Sequence, residues 1–409
     1  MRSKGRASGL RVVGLFAGVG GLELGLSRAG HHTKLLCEIE PGAKEVLRKR
    51  FPGVDIHDDV TTLNRLPKDT GLIAAGFPCQ DLSQAGQTRG MAGRQSSLVE
   101  HAFRLLRTHD VPWVLLENVS FMLQLNRGAA MRFIADELEA LGYRWAYRVI
   151  DTRAFGLPQR RERVFLLASK VADPATVLFD GNETPREPHA KRPTACGFYW
   201  TEGLRGLGWA VGAVPTLKGG STIGIPSPPA IWTKAGSFVT PDIRDAERLQ
   251  GFDPDWTLPA EKVCKPGHRW KLVGNAVSVP VAEWMGGRIS AAPDKRPALA
   301  TTFNQESAWP RAAMSGEGTR LFVRISSWPV RRDAISLEEF LVHPSKPLSE
   351  KALAGFYSRL LRSSLNRPPE FDEDIRHALK LPVEPRRPPR PVGARSKRVV
   401  EASAGLFGE

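Results

Sequence analysis

The chain has 409 residues, enough for two or three domains, with the hydrophobic and charged fractions of an ordinary globular protein. Fifty-eight basic against 43 acidic residues leave a formal net charge of +15, which puts polyanions, nucleic acid first, among the partners, although a basic protein without such a partner fits the charge equally well. No apolar run approaches the roughly 18 residues of a membrane-spanning helix, and four scattered cysteines without a C-x-x-C pair argue against a disulfide framework or a metal site and for reduced thiols in the cytoplasm.

"MRSKGR" followed by "VVGLFAGVGGL" has the basic and apolar regions of a signal peptide, but the glycines and the immediate Glu23 suit a strand entering a turn better. "LRVVGLF" (10–16) reads as a buried strand, "AGVGG" as a tight turn and "LELGLSRAG" as a helix closed by Gly30. "TKLLCEIE" is a second strand, and "PGAKEVLRKRF" a helix with Pro41 in its first turn. "GLIAAGF" (71–77) and "WVLLENV" (113–119) are apolar strands flanking the helical spacing of "SLVEHAFRLLRTH". "AAMRFIADELEALGY" is another helix and "RVFLLAS" (163–169) another strand. This alternation predicts an α/β fold with a doubly wound, mostly parallel sheet over residues 1–169. Residues 170–245 turn Gly-, Pro-, Thr- and Trp-rich, which predicts a smaller, loop-rich domain; regular structure returns at "DIRDAERLQGF" and "LVGNAVSVPVAEWMGGRI" (272–289).

Beyond 290, Trp309, Phe322, Trp328, Phe340 and Phe356 are too many large apolar groups for a free tail. Residues 291–380 are therefore expected to fold, partly as helix, and 381–409 to be a disordered basic tail. On the helix at 350–365, Leu353, Phe356, Tyr357, Leu360 and Leu361 form an apolar stripe expected to dock on the body. Lys351, Arg359 and Arg362 lie off it, with Arg367 beyond, facing a nucleic-acid phosphate or solvent.

"FAGVGGLELGL" follows a strand and opens a helix, the outline of a nucleotide-binding turn. Glu38, ending the next strand about twenty residues on, suits a ribose diol, and Asp59 in "HDDV" suits an adenine amine. No Lys and Ser/Thr pair is present to cradle a polyphosphate, so the ligand reads as an adenosine without one; the plain alternative is a structural turn with two solvated carboxylates.

Cys79 in "GFPCQDLSQAG" lies just past a strand's C-terminal end, on the edge where such sheets take ligands, and its thiolate can attack an electron-poor carbon. Glu117 in "ENV" reaches the same edge, where burial raises a carboxyl toward a proton donor's range. Arg161 and Arg163, at spacing two in "QRRERVF", point to one side of an extended segment. Taken singly, a packed cysteine, a strand-end cap and a solvated arginine run are the better explanations; together, in this order along one sheet, they are hard to explain by accident.

In order, "LFAGVGGLELGL", "CEIE", "DDV", "GFPCQDLS", "LLENV", "LPQRRERVF", "RLQGF" and "GNAVSVP" resemble the DNA (cytosine-5)-methyltransferases, from about residue 11 to 290. The resemblance implies a Rossmann-like S-adenosylmethionine-dependent fold: a catalytic domain over 1–169 completed by 262–290, and a target-recognition domain over 170–261. It implies that Phe16, Ala17, Gly18, Gly20 and Gly21 shape an S-adenosyl-L-methionine pocket. Glu38 would hold the ribose, Ile39 would pack on the adenine, and Asp59 with Val60 would meet its amine. Pro78, Leu98, Asn275 and Val277 would close the cofactor side. Cys79 would be the nucleophile, Glu117 would contact cytosine N3 and the exocyclic amine, and Arg161 and Arg163 would support the pyrimidine. Gly14 stands where family members often carry a polar residue.

On that reading C5 of a flipped-out cytosine in double-stranded DNA is methylated through a Cys79–C6 bond. Gln80 and Ser83 would close over the base, and Lys218, Ser221 and Thr222 would read DNA from "VPTLKGGSTIGIPSPPAIW". The expected partners are DNA and, acting separately, a cognate restriction endonuclease; the chain is expected to be a monomer with no metal and no membrane. A tRNA cytosine-5 methyltransferase of the same fold and an inactive DNA-binding subunit are the alternatives. The long segment before "RLQGF" speaks against the first and the intact catalytic set against the second.

Overall fold

The computed structural model describes residues 9–78, 98–186, 194–204, 206–220, 226–291, 300–303 and 308–382. The first strands are β1 (Arg11–Leu15), β2 (His32–Cys37), β3 (Asp55–His57), β4 (Thr70–Gly76), β5 (Trp113–Val119) and β6 (Arg144–Asp151). After the two-residue β7 (Gln159–Arg160) comes β8 (Glu162–Ser169). The middle of the chain adds β9 (Cys196–Phe198), β10 (Trp209–Val211), β11 (Val214–Pro215), β12 (Ala230–Trp232) and β13 (Phe238–Thr240). Toward the C-terminus lie β14 (Ala300–Thr302), β15 (Ala312–Ser315), β16 (Arg320–Val323) and β17 (Lys346–Pro347).

Ten strands form one sheet in the order β14-β16-β15-β6-β8-β5-β4-β1-β2-β3. From β3 to β5 all neighbours are parallel. β4 and β5 are buried along almost their whole length, as the unbroken apolar runs "TGLIAAG" and "WVLLENV" require of strands covered on both faces. The helices Gly21–Arg28 and Val279–Ala291 cover one face, packing with Val12, Leu72 and Leu115. The helices Leu98–Thr108 and Ala129–Ala140 cover the other, with Val13, Ile73 and Val114. This is the doubly wound α/β arrangement, and it leaves the C-terminal edge of β1, β4 and β5 between the two layers of helices.

Outward from β5 the sheet is extended antiparallel, through β8 and β6 to β15, β16 and β14. Sequence patterning did not mark β6 or the last three strands. The stretch expected to be a C-terminal extension thus supplies an edge of the main sheet. It also supplies β17 to a second sheet, ordered β10-β9-β12-β13-β17, which fills the loop-rich region.

The helix Glu350–Leu361 docks by its stripe: Leu353, Phe356, Tyr357 and Leu360 are buried, and Phe356 lies 4.7 Å from the Phe198 ring of β9. Leu361 is off the stripe, 59% exposed. Arg359 is half-buried and donates to the Trp200 carbonyl. A second unit begins at Arg367, and its described part, residues 367–382, holds the helix Pro369–Ala378. The expected disordered tail falls almost wholly outside the described residues.

Candidate active site

The turn after β1 is wound through left-handed backbone at Phe16 (φ 55°), Gly18 (φ 55°) and Gly20 (φ 83°). For an aromatic residue that conformation is rare and persists where the surroundings over-determine it, most often at ligand sites. It turns the Gly18 N–H onto Glu38 Oε2 at 2.7 Å, while the Glu40 N–H meets Oε1 at 2.8 Å. Burial raises the Glu38 carboxyl above its ordinary range, against these two donors. Beside it Ile39 is 68% exposed, an apolar side chain without cover. Asp59 accepts from the Thr61 N–H at 2.8 Å and is held below the usual carboxylate range by that bond. Val60 is buried, Leu98 packs on the core and Pro78 is exposed. At Gly21 a Cβ would stand 2.5 Å from the Val277 carbonyl oxygen. Its smallness serves the close approach of the "GNAVSVP" segment.

Glu117, two residues from the end of β5, lies directly opposite Gly76 of β4, itself three residues before Cys79. It is 7% exposed, and Oε1 stands 3.3 Å from Arg163 Nε on the neighbouring β8. Burial raises its pKa, and Arg163 and Arg161 pull the other way. Asn118, which sequence reasoning passed over inside "ENV", donates to the Phe77 carbonyl at 2.9 Å and so ties β5 to the peptide leading to Pro78.

Arg161 has another geometry from its neighbour. Its buried guanidinium donates to the carbonyls of Leu217 (3.2 Å), Gly274 (3.3 Å) and Ala276 (2.7 Å), and burial lowers its pKa strongly. One side chain thereby joins the link between β7 and β8, the stretch after β11 and the "GNAVSVP" turn. A buried polar network runs parallel to it. Gln159 donates to the Leu249 carbonyl at 2.8 Å and accepts from the Leu217 N–H at 3.1 Å. Ser278 donates to Gln250 Oε1 at 3.1 Å and lies 2.8 Å from the Thr152 hydroxyl. "LPQRRERVF", "RLQGF" and "GNAVSVP", distant in sequence, are clamped together here. Asn275 itself is exposed, its amide against Gly219.

Lys218 is engaged within the protein, 3.1 Å from Glu202 and 3.9 Å above the Tyr199 ring. Cys79, Gln80, Ser83, Ser221 and Thr222 lie outside the described residues. Glu40, Cys264 and His268 gather within 4.8 Å, but both Glu40 oxygens are committed, to the Ala43 N–H and to His268. The carboxyl that sequence reasoning missed altogether is Glu23. It reaches across to fill the space over Gly14, the position where a polar residue was to be expected.

The family model of the C-5 cytosine-specific DNA methylases matches residues 10–195. Type II methyltransferase M2.BsuMI of Bacillus subtilis (strain 168) is 48% identical over 379 residues, covering 88% of this chain and 96% of its own. Type II methyltransferase M.NlaX of Neisseria lactamica is 28% identical over 326 residues, covering 70% of this chain and 99% of its own. Among solved structures, the S. pombe Dnmt2 methyltransferase aligns over 69% of this chain and 98% of its own, with 18% identity and a TM-score of 0.46.

Proposed function

The chain belongs to the C-5 cytosine-specific DNA methylases, and from that premise we propose that it methylates C5 of a cytosine flipped out of a specific duplex sequence, through a covalent Cys79–C6 bond, with S-adenosyl-L-methionine as cofactor. The observation that carries this is the Glu117–Arg163 pair: a buried carboxyl with a raised pKa on the strand edge opposite Gly76, where the chain enters Pro78 and Cys79.

In this reading the Cys79 thiolate adds to C6, and the electrons of the C5–C6 double bond move toward N3, where the Glu117 carboxyl donates its proton. Arg163 holds Glu117 in place and Asn118 fixes the peptide ahead of the nucleophile. C5 is now nucleophilic. Bound S-adenosyl-L-methionine supplies an electrophilic methyl group. Loss of the C5 proton then restores the double bond, Cys79 departs as thiolate, and Glu117 recovers its proton from N3. A cysteine suits the task because it must both add and leave.

The described residues fit the cofactor. Glu38, oriented by two N–H groups, would take the ribose hydroxyls, exposed Ile39 one face of the adenine, and Asp59 its amine. Arg161 would act at one remove, holding the segments around the base in register. The +15 charge would hold phosphates. Target reading is assigned to the second sheet and the segment around Lys218, and the setting to a restriction-modification system in the cytoplasm. The chain would act as a monomer beside a separate endonuclease.

Bisulfite sequencing of DNA from cells expressing the protein identifies the target. A duplex carrying 5-fluorocytosine there, with S-adenosyl-L-methionine, should accumulate a covalent adduct, since fluorine cannot leave as a proton does. Cys79→Ala should form none. An adduct that persists in that variant, or maps to Cys37, defeats the assignment.

A further inference from the structure

Glu23 is a buried ionisable group that the mechanism leaves unused. It stands in the first turn of the helix Gly21–Arg28, 1% exposed, and neither carboxylate oxygen has a hydrogen-bond partner outside its own residue among the described residues. The carboxyl lies against the backbone of β1: a Cβ on Gly14 would sit 2.1 Å from Oε1. Any side chain at 14 would evict it.

Strand order fixes what surrounds this position. Gly14 pairs with Ala74 of β4 and shares a sheet face with Gly76. A Cβ on Gly76 would lie 3.4 Å from Glu117 Oε2 and 3.7 Å from Val277 Cγ2. On the other side of β1 comes β2, which leads into Glu38. Glu23 therefore stands between the carboxylate assigned to the ribose and the edge assigned to methyl transfer. Between ribose and methyl the cofactor has its sulfonium, and the amino-acid chain that branches from the same sulfur carries an ammonium.

An ionised carboxylate buried without a donor costs several kcal/mol, and such groups in native proteins are paired. No Lys or Arg among the described residues pairs with this one. We propose that Glu23 is a cofactor-binding residue whose carboxylate receives the ammonium of the methionyl half of S-adenosyl-L-methionine. The proposal rests on the cofactor reading above. It explains why an acid is kept under the turn with nothing to bind, and why residue 14 has no side chain.

Calorimetric titration of the full chain with three probes tests it. S-adenosyl-L-methionine and S-adenosyl-L-homocysteine carry the ammonium; 5′-deoxy-5′-methylthioadenosine keeps the adenosine and lacks it. Glu23→Gln should raise Kd for the first two about 10- to 100-fold, the usual range for a hydrogen bond to a charged group, and leave the third within about twofold. Glu38→Ala should weaken all three. Equal weakening of all three by Glu23→Gln, or of none, overturns the proposal; loss confined to S-adenosyl-L-methionine moves the carboxylate to the sulfonium and overturns it too. If the unaltered protein binds none of the probes, the cofactor reading itself has failed. Glu23→Asp covers misfolding of the amide: it keeps the charge but retracts it, and should lose affinity for the two ammonium-bearing probes alone.

Discussion

Replacing Glu23 by Gln should make the ligand-free protein more stable at alkaline pH, although it deletes a charge without a clash or a cavity. Burial lifts the Glu23 carboxyl from 4.5 to about 8; the negative charge of Glu38 adds to this, and the backbone N–H of Glu23 opposes it. The sign follows from proton counting. Below about pH 4.5 both folded and unfolded chains hold the proton and the site costs nothing. Above that, the unfolded chain ionises while the folded one cannot, so stability falls as pH rises, until the folded carboxyl ionises near 8. At about 1.4 kcal/mol per pKa unit the full penalty is roughly 5 kcal/mol, an upper figure because interiors relax around a buried charge. The amide has no such penalty. Urea unfolding followed by tryptophan fluorescence, at pH 5 and at pH 8.5, should give nearly equal stabilities for the two proteins at the lower pH. At the higher, Glu23→Gln should lead by several kcal/mol. All other titrating groups are common to both proteins and cancel. Parallel pH profiles would refute the reasoning, because they would mean that Glu23 is as well solvated or as well paired in the fold as outside it.

Binding of S-adenosyl-L-methionine near pH 7 should release up to about one proton from the unaltered protein and none from Glu23→Gln, read by calorimetry in buffers of different ionisation enthalpy. Glu117→Gln should keep cofactor and DNA affinity while kcat falls by about 100-fold or more; comparable loss of cofactor affinity in Glu117→Gln and Glu38→Ala would show the two carboxylates exchanged. Gly21→Ala should destabilise by about 1–3 kcal/mol in urea, because its methyl meets the Val277 carbonyl. Arg359→Ala should cost about 1–2 kcal/mol by stranding the Trp200 carbonyl, with the salt dependence of DNA binding unchanged; a slope lower by about one unit at unchanged stability would return Arg359 to the phosphate.

The parallel half of the sheet was legible because its strands are apolar on both faces and its turns are marked by glycine and proline. β6 was not legible, and the reason is one residue. Arg148 interrupts "RWAYRVID" in the middle of a strand buried from Trp145 onward. It is tolerated there because it donates to the carbonyls of Leu178 (3.0 Å), Gly181 (2.8 Å) and Ser326 (2.9 Å), partners that no local pattern reveals. β14 to β16 are too short to show a period. At the site, residue type announced Glu38 and Glu117, both carried close to the ends of apolar strands that the pattern marks. It said little of Arg161, Gln159 or Glu23, whose surroundings come from segments far along the chain. The partner of Arg359 in the fold, the Trp200 carbonyl, likewise lies far away in sequence.

The pairing of β15 with β6, in which Ala313 meets Tyr147, has a consequence for synthesis. The residues assigned to chemistry are all translated by Val277, yet the sheet that carries them is not closed then. Until the ribosome has delivered β15 and β16, the outer backbone of β6 is a bare edge, able to pair with any strand that reaches it. Tyr147 waits as well, since its hydroxyl is satisfied by the Pro310 carbonyl at 2.7 Å. A chain released early, after residue 291, would therefore carry the whole proposed catalytic set and an open template for self-association. It should sediment as aggregate, where the chain of 409 residues stays dispersed. The last third of the protein thus works as a seal, and it arrives after the part that most needs it.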